Sequence, residues 1–172
     1  MATTVTSPLL HLLRELQCMI ERIDDHTYTA PGPGRSSGSI GGHVRHCLDH
    51  VKALLSATRS RLCAYDRRER GTDVERCRLS ALRELEDLEA EVATLAHDVL
   101  DVSIAVETQT NAQGTMVVTR STVAREIVFV SSHIIHHNAL VAHLLALHGT
   151  HMGARFGVAP ATPSPEHVAC AQ

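Results

Sequence analysis

Aromatic side chains are almost missing from this chain: Tyr28, Tyr65, Phe129 and Phe156 are the whole set, and there is no tryptophan. A core so poor in rings has to be built from Leu, Val, Ile and Ala, which suits helices packed on helices. With a formal charge of −3 as well, the composition excludes nucleic acid as a partner, since little is available to neutralise phosphates or stack on bases. Cysteine is present without pattern. Cys18, Cys47, Cys63, Cys77 and Cys170 are odd in number and form no CxxC pair, which argues against a disulfide framework and against a thiolate zinc site. No stretch approaches the ~18 apolar residues of a membrane span. The opening MATTVTSPLLHLLREL lacks a charged segment followed by an apolar run, so no signal peptide is expected. The reading is a cytoplasmic protein with no membrane partner.

What is present is ordinary in bulk, with 172 residues, 44% of them hydrophobic and 20% charged. That is enough for one domain over residues 1–172 with a real core. Histidine is the exception: 13 stand beside 16 Lys plus Arg. Imidazole is the commonest metal ligand and titrates near neutral pH, so the excess needs a cause.

Four helices are expected. Ser7-Pro8 supplies an N-cap and a proline at the first helical position, and Leu9, Leu12, Leu13, Leu16, Met19, Ile20 and Ile23 follow at helical spacing, giving a helix over 8–25. Residues 26–39 read as a loop, because Pro31-Gly32-Pro33-Gly34 and Ser36-Ser37-Gly38 cannot sustain a helix. Ser39 can cap a second helix over 40–62 through Val44, Leu48, Val51, Leu54 and Leu55. A charged connection, 66–71, precedes a third helix over 76–99 with the stripe Leu79, Leu82, Leu85, Leu88, Val92, Leu95 and Val99. Then the period changes. Val102, Ile104 and Val106 alternate with polar residues, Asn111-Ala112-Gln113-Gly114 has turn chemistry, and 115–119 is rich in β-formers, so a short β-hairpin is expected over 102–119. The fourth helix spans 122–148 and stops before Gly149, a C′ glycine. The fold class is therefore an all-α four-helix bundle with a short hairpin between its third and fourth helices. The helical core covers about 8–148, and 149–172 forms an irregular tail with a frayed end.

Among so many histidines, spacing alone means little; position on the helix means more. On an ideal helix of ~100° per residue, the apolar residues of the fourth helix fill one continuous sector. His133 lies within that sector, His137 falls at its centre and Glu126 close beside the centre, while His136 and His143 lie on its edge. Two unpaired imidazoles buried there cost free energy unless something compensates, and a metal shared with a third ligand would do so. A hydrogen-bonded core histidine is the plainer alternative. The second helix should supply the third ligand from Gly42-His43-Val44-Arg45-His46-Cys47-Leu48-Asp49-His50. Its apolar centre lies nearer His43 and His50 than His46, so periodicity alone favours His50.

These residues resemble the DinB-like (YfiT-like) superfamily of metal-binding four-helix bundles. Ser39-Ile40 followed by His46 is similar to the family's opening of the second helix before a ligand histidine. His133-Ile134-Ile135-His136-His137 is similar to its HxxxH on the fourth. The resemblance spans about 8–148 and nominates His46, His133 and His137 as ligands, against the wheel at His46. It implies one divalent metal ion (zinc, nickel or iron). It also implies a small-molecule substrate, a low-molecular-weight thiol as co-substrate in some members, and a homodimer in many. Three neutral imidazoles would leave the metal at +2 with an open position, able to acidify a bound water or thiol. Glu126, two turns before His133, could orient a ligand or move a proton, or simply sit near the positive end of its helix. Asp49 is expected to pair with Arg45 at i,i+4, Cys47 to lie in the core, and Arg67, Arg68 and Arg70 to form a solvated loop. The leading function is a metal-dependent enzyme of thiol S-transferase or hydrolase type. The alternative is a non-enzymatic metal-binding or dimerisation module. A di-iron bundle is a third option, and it needs several ligand carboxylates where only Glu126 is well placed.

Overall fold

A computed structural model describes residues 4–33, 38–67 and 71–163. Residues 34–37 of the expected loop, Arg68 and Arg70 of the basic run, and the end of the tail lie outside the described residues. The described residues are mostly helical, with one small three-stranded sheet among them.

Helix α1 (Ser7–Glu21) starts one residue earlier than expected, so Ser7 is its first helical residue rather than its cap, and its hydroxyl bonds Thr4 Oγ1 at 2.7 Å instead. Leu9, Leu12, Leu13, Leu16, Met19 and Ile20 form the buried face. The helix ends short of residue 25. Asp24 caps a separate turn, α2 (Asp25–Thr29), accepting from Thr27 N at 2.7 Å, in a stretch where the sequence suggested only loop. The turn is held from outside, because buried Tyr28 donates its phenol to the Val74 carbonyl at 2.7 Å.

Helix α3 (Ile40–Ser60) is capped as expected, with Ser39 Oγ accepting from Gly42 N at 3.0 Å. It stops two residues early because Arg61 turns into the left-handed region at φ 63°. Leu62–Ala64 then forms strand β1, too short for any alternation to show. A short helix that was not expected, α4 (Asp73–Arg76), precedes the third helix, which is itself two pieces, α5 (Arg78–Ala93) and α6 (His97–Leu100). Extended backbone at Cys77 separates α4 from α5. Of the anticipated stripe, Leu85, Leu88 and Val92 are buried, whereas Leu79 is exposed.

The hairpin is present, as β2 (Ser103–Gln109) and β3 (Met116–Thr122), antiparallel from Ser103↔Thr122 to Gln109↔Met116. Its turn is closed by Asn111 Oδ1, which accepts from Gln113 N and Thr115 N, with Gly114 at φ 84°. The sheet order is β1-β2-β3, and β1 runs parallel to β2.

Helix α7 (Val123–Leu147) follows directly, with Thr122 Oγ1 accepting from Arg125 N at 3.3 Å. It ends at Gly149, as expected. Gly149 N bonds the Ala146 carbonyl and Thr150 N the Leu145 carbonyl, the paired bonds of a Schellman motif. By length and composition α7 could cross a membrane, which the expectation above did not allow for. Here Ile127, Val130, Ile134, Val141 and Leu145 are buried in the core instead. Helices α1 and α3 each pack against both α5 and α7, and the buried residues form one contiguous cluster. The tail is irregular but partly docked: Phe156 is buried, and a Cβ at Gly157 would stand 2.4 Å from Ala139 N.

Candidate metal centre

Helix α3 carries His43, His46 and His50 at spacings of three and four, which places them on neighbouring turns of one side. Helix α7, packed against it, carries His133 and His137 at i,i+4. The two helices bring these rings together. His46 Nε2 and His133 Nε2 are 2.8 Å apart, and His43 Nδ1 and His137 Nδ1 are also 2.8 Å apart. A bond between two ring nitrogens needs one of them to carry the proton, and a divalent ion taking both lone pairs would displace that proton.

His46, His50 and His133 each present a ring nitrogen within 4.8 Å of the others, close enough to hold a metal ion. The third ligand nominated by resemblance, His137, is not one of these three; its ring packs beside them, the centroid 4.6 Å from those of His46 and His133. His50 is the most buried of the five, at 5% exposure. Its Nδ1 lies 2.9 Å from the His46 carbonyl, which can only accept, so Nδ1 carries the proton and Nε2 is the acceptor nitrogen. His50 stacks on His133 at 4.1 Å and 21°, and on Tyr65 at 4.9 Å and 14°. His136 and His143 are exposed, on the edge of the α7 stripe as the wheel placed them.

Burial, then the neighbouring histidines with His133 foremost, drives the His137 pKa down to about 3. Burial also lowers that of His43, with His136 adding to the effect. Both rings are therefore neutral at pH 7, the form a metal requires.

Glu126 is buried at 1% exposure and accepts three hydrogen bonds: from Tyr65 Oη at 2.7 Å, Ser121 Oγ at 2.6 Å and Arg125 Nη1 at 2.8 Å. Both carboxylate oxygens are thus engaged. Arg45 pairs with Asp49 at 2.7 Å as expected, and also with Glu75 at 3.1 Å. Both partners of the first pair are largely covered, and burial raises the Asp49 pKa against the pull of Arg45. Cys47 is core, as expected, its thiol pKa pushed up by burial. A cleft of about 660 Å³ runs past Asp49, Lys52, Ser56, Ser60, Arg67 and Thr72, and no described histidine lines it.

Sequence reasoning missed Tyr65 and the pairing of His43 with His137. Rarity was the available signal for the first, since two of only four aromatics, Tyr65 and Phe129, pack against the histidine rings.

A search of solved structures matches the crystal structure of a DinB-like protein, YjoA, from Bacillus subtilis. The TM-score is 0.64, and the match covers 87% of this chain and 95% of that one at 18% sequence identity. The chain has a DinB-like fold. No family model matches it, and no curated protein does. At that identity the likeness speaks for the DinB-like arrangement of elements.

Proposed function

We propose that this DinB-like chain is a four-helix bundle of α1, α3, α5 and α7 that holds one divalent ion between α3 and α7, and that it acts on a small molecule as a thiol S-transferase or hydrolase. The observation that carries the reading is the facing pair His46 Nε2 and His133 Nε2, 2.8 Å apart across two helices. His137 is the third ligand in this proposal. Its ring packs against both of the others, with the centroid 4.6 Å from those of His46 and His133. His43 would then accept the Nδ1 proton of His137 and fix its tautomer, a common arrangement for a ligand histidine. His50 competes for the third place through its nitrogen distance. Against it stands its near-parallel stacking on His133, because stacked rings aim their nitrogens side by side.

When bound, such an ion supplies Lewis acidity that favours hydroxide or thiolate at neutral pH. The residues supply three neutral nitrogens and walls formed by Tyr65 and Phe129. Zinc, nickel and iron are the ions to test, with low-molecular-weight thiols and electrophiles as substrates. The expected result is near-stoichiometric metal in purified protein and a loss of about 5–10 °C in melting temperature on chelation. That corresponds to roughly 2.7 kcal/mol for an ion at a hundred times its Kd in a chain of this size. Identical melting curves before and after chelation would sink the reading.

A second reading, a non-enzymatic dimerisation module, is favoured by Val128, Leu140 and Leu147, which α7 leaves exposed. A sedimentation measurement giving a dimer, with no turnover across the substrate panel, would support it over catalysis.

A further inference from the structure

The ligand nitrogens sit at one end of a stack of rings. Tyr65, just beyond β1, lies 4.9 Å from His50 at 14°, and His50 lies 4.1 Å from His133 at 21°. Phe129 closes the group, 5.2 Å from Tyr65 and 5.9 Å from His133. The far edge of the stack is pinned by the Tyr65 phenol, which donates to Glu126 Oε2 at 2.7 Å. Glu126 is held in turn by Ser121 from β3 and Arg125 from α7. The anchor therefore ties the sheet to the helix that carries His133.

A phenylalanine facing a leucine would fill this volume with no buried hydroxyl and no buried carboxylate, and so without the desolvation both incur. What the polar pair adds is a fixed orientation. The ring torsion of a histidine is broad and roughly two-fold, so packing has to select the plane. A metal site tolerates errors of only about 0.2 Å in ligand distance.

We infer that Tyr65 is a positioning residue of the metal centre: anchored through its hydroxyl to Glu126, it holds the planes of His50 and His133 and so aims His133 Nε2 toward His46. This rests on the metal reading above. Glu126, with both oxygens engaged by donors, acts here through Tyr65 rather than as a free base.

The test uses Co²⁺, whose visible absorption bands report coordination geometry, on the full chain and on Tyr65→Leu, Tyr65→Phe, Glu126→Gln and a core control on another helix, Leu85→Ala. Tyr65→Leu is expected to bind Co²⁺ about ten- to a hundredfold more weakly with displaced bands, the usual range for losing an orienting partner. Tyr65→Phe keeps the ring and should fall between it and the wild type, as should Glu126→Gln. Leu85→Ala should melt earlier with wild-type bands and affinity. In the metal-free protein, the imidazole proton shifts of His50 and His133 should move in Tyr65→Phe and Glu126→Gln, which keep the ring at residue 65, and stay in place in Leu85→Ala, a readout that needs no ion. If Tyr65→Leu does not fold, Tyr65→Phe and Glu126→Gln carry the comparison. Wild-type bands and affinity in the Tyr65 and Glu126 variants would overturn this inference alone. Absence of Co²⁺ binding by the wild type would overturn the metal reading and this inference with it.

Discussion

His46 and His133, 87 residues apart in sequence, face each other through their Nε2 atoms at 2.8 Å, one from α3 and one from α7. Every candidate for a third ligand lies beside that pair, so the ligand set can be decided by single substitutions. His46→Ala and His133→Ala should each abolish stoichiometric zinc binding. His137→Ala should weaken it at least a hundredfold, while His50→Ala should leave the stoichiometry at one. Retained binding in His137→Ala with loss in His50→Ala would exchange their roles. Metal analysis after gel filtration reads all four variants.

The approach of α3 to its neighbours depends on Gly41. A Cβ there would stand 2.2 Å from the Glu75 carbonyl oxygen and 2.7 Å from Tyr28 Cε1. Backbone cannot retreat cheaply, so Gly41→Ala should destabilise by about 1–3 kcal/mol, the usual range for overpacking. Gly38→Ala, which meets nothing within 4 Å, should change little by that route. Urea denaturation of both variants checks the contrast.

How much of this was legible beforehand depended on the range of the forces involved. The cap at Ser39, the Gly149 terminus and the hairpin are set by residues a few positions apart, and all were readable. The break at Cys77, the αL cap at Arg61 and strand β1 were not. Two of these are held by a distant segment: Leu62–Ala64 by its pairing with Ala105–Glu107, and the Arg61 carbonyl by Ala105 N. In the site, the burial of Glu126 followed from the α7 wheel, whereas His137, expected at the centre of the buried stripe, is only half-buried and Asn138 beside it is fully buried. The place of Tyr65 was not readable, because no local periodicity places a residue after a three-residue strand against a helix. The wheel's preference for His50 agrees with its burial, the deepest of the five clustered histidines, and with its ring nitrogen lying within 4.8 Å of those of His46 and His133.

Asn138 on α7 is fully buried, and neither its Nδ2 nor its Oδ1 has a hydrogen-bond partner. A buried unsatisfied amide costs about 1–3 kcal/mol. Asn138→Leu, close in volume, should therefore raise stability by a similar amount. A lower melting temperature for this variant would show that the amide is satisfied in solution.

The pH response of the metal-free protein follows from His137 and His43. Both are depressed in the fold, His137 to about 3 against an ordinary value of 6.5. Between those values the unfolded chain binds a proton that the folded chain does not, so stability is full above about pH 6.5 and falls as pH drops toward 3. Unfolding of chelated protein should take up at least one proton in this window. His137→Leu should flatten the dependence, and an unchanged slope in that variant would assign the effect elsewhere. Denaturant midpoints measured from pH 7.5 to 4.5 provide the data.

The most direct test is an anomalous-scattering map from crystals of the zinc-loaded protein, collected above and below the zinc edge. A single strong peak between His46 and His133, within ligand distance of His137, is the predicted result. A map with no peak among these rings, or with its strongest peak at a site remote from α3 and α7, would contradict the account.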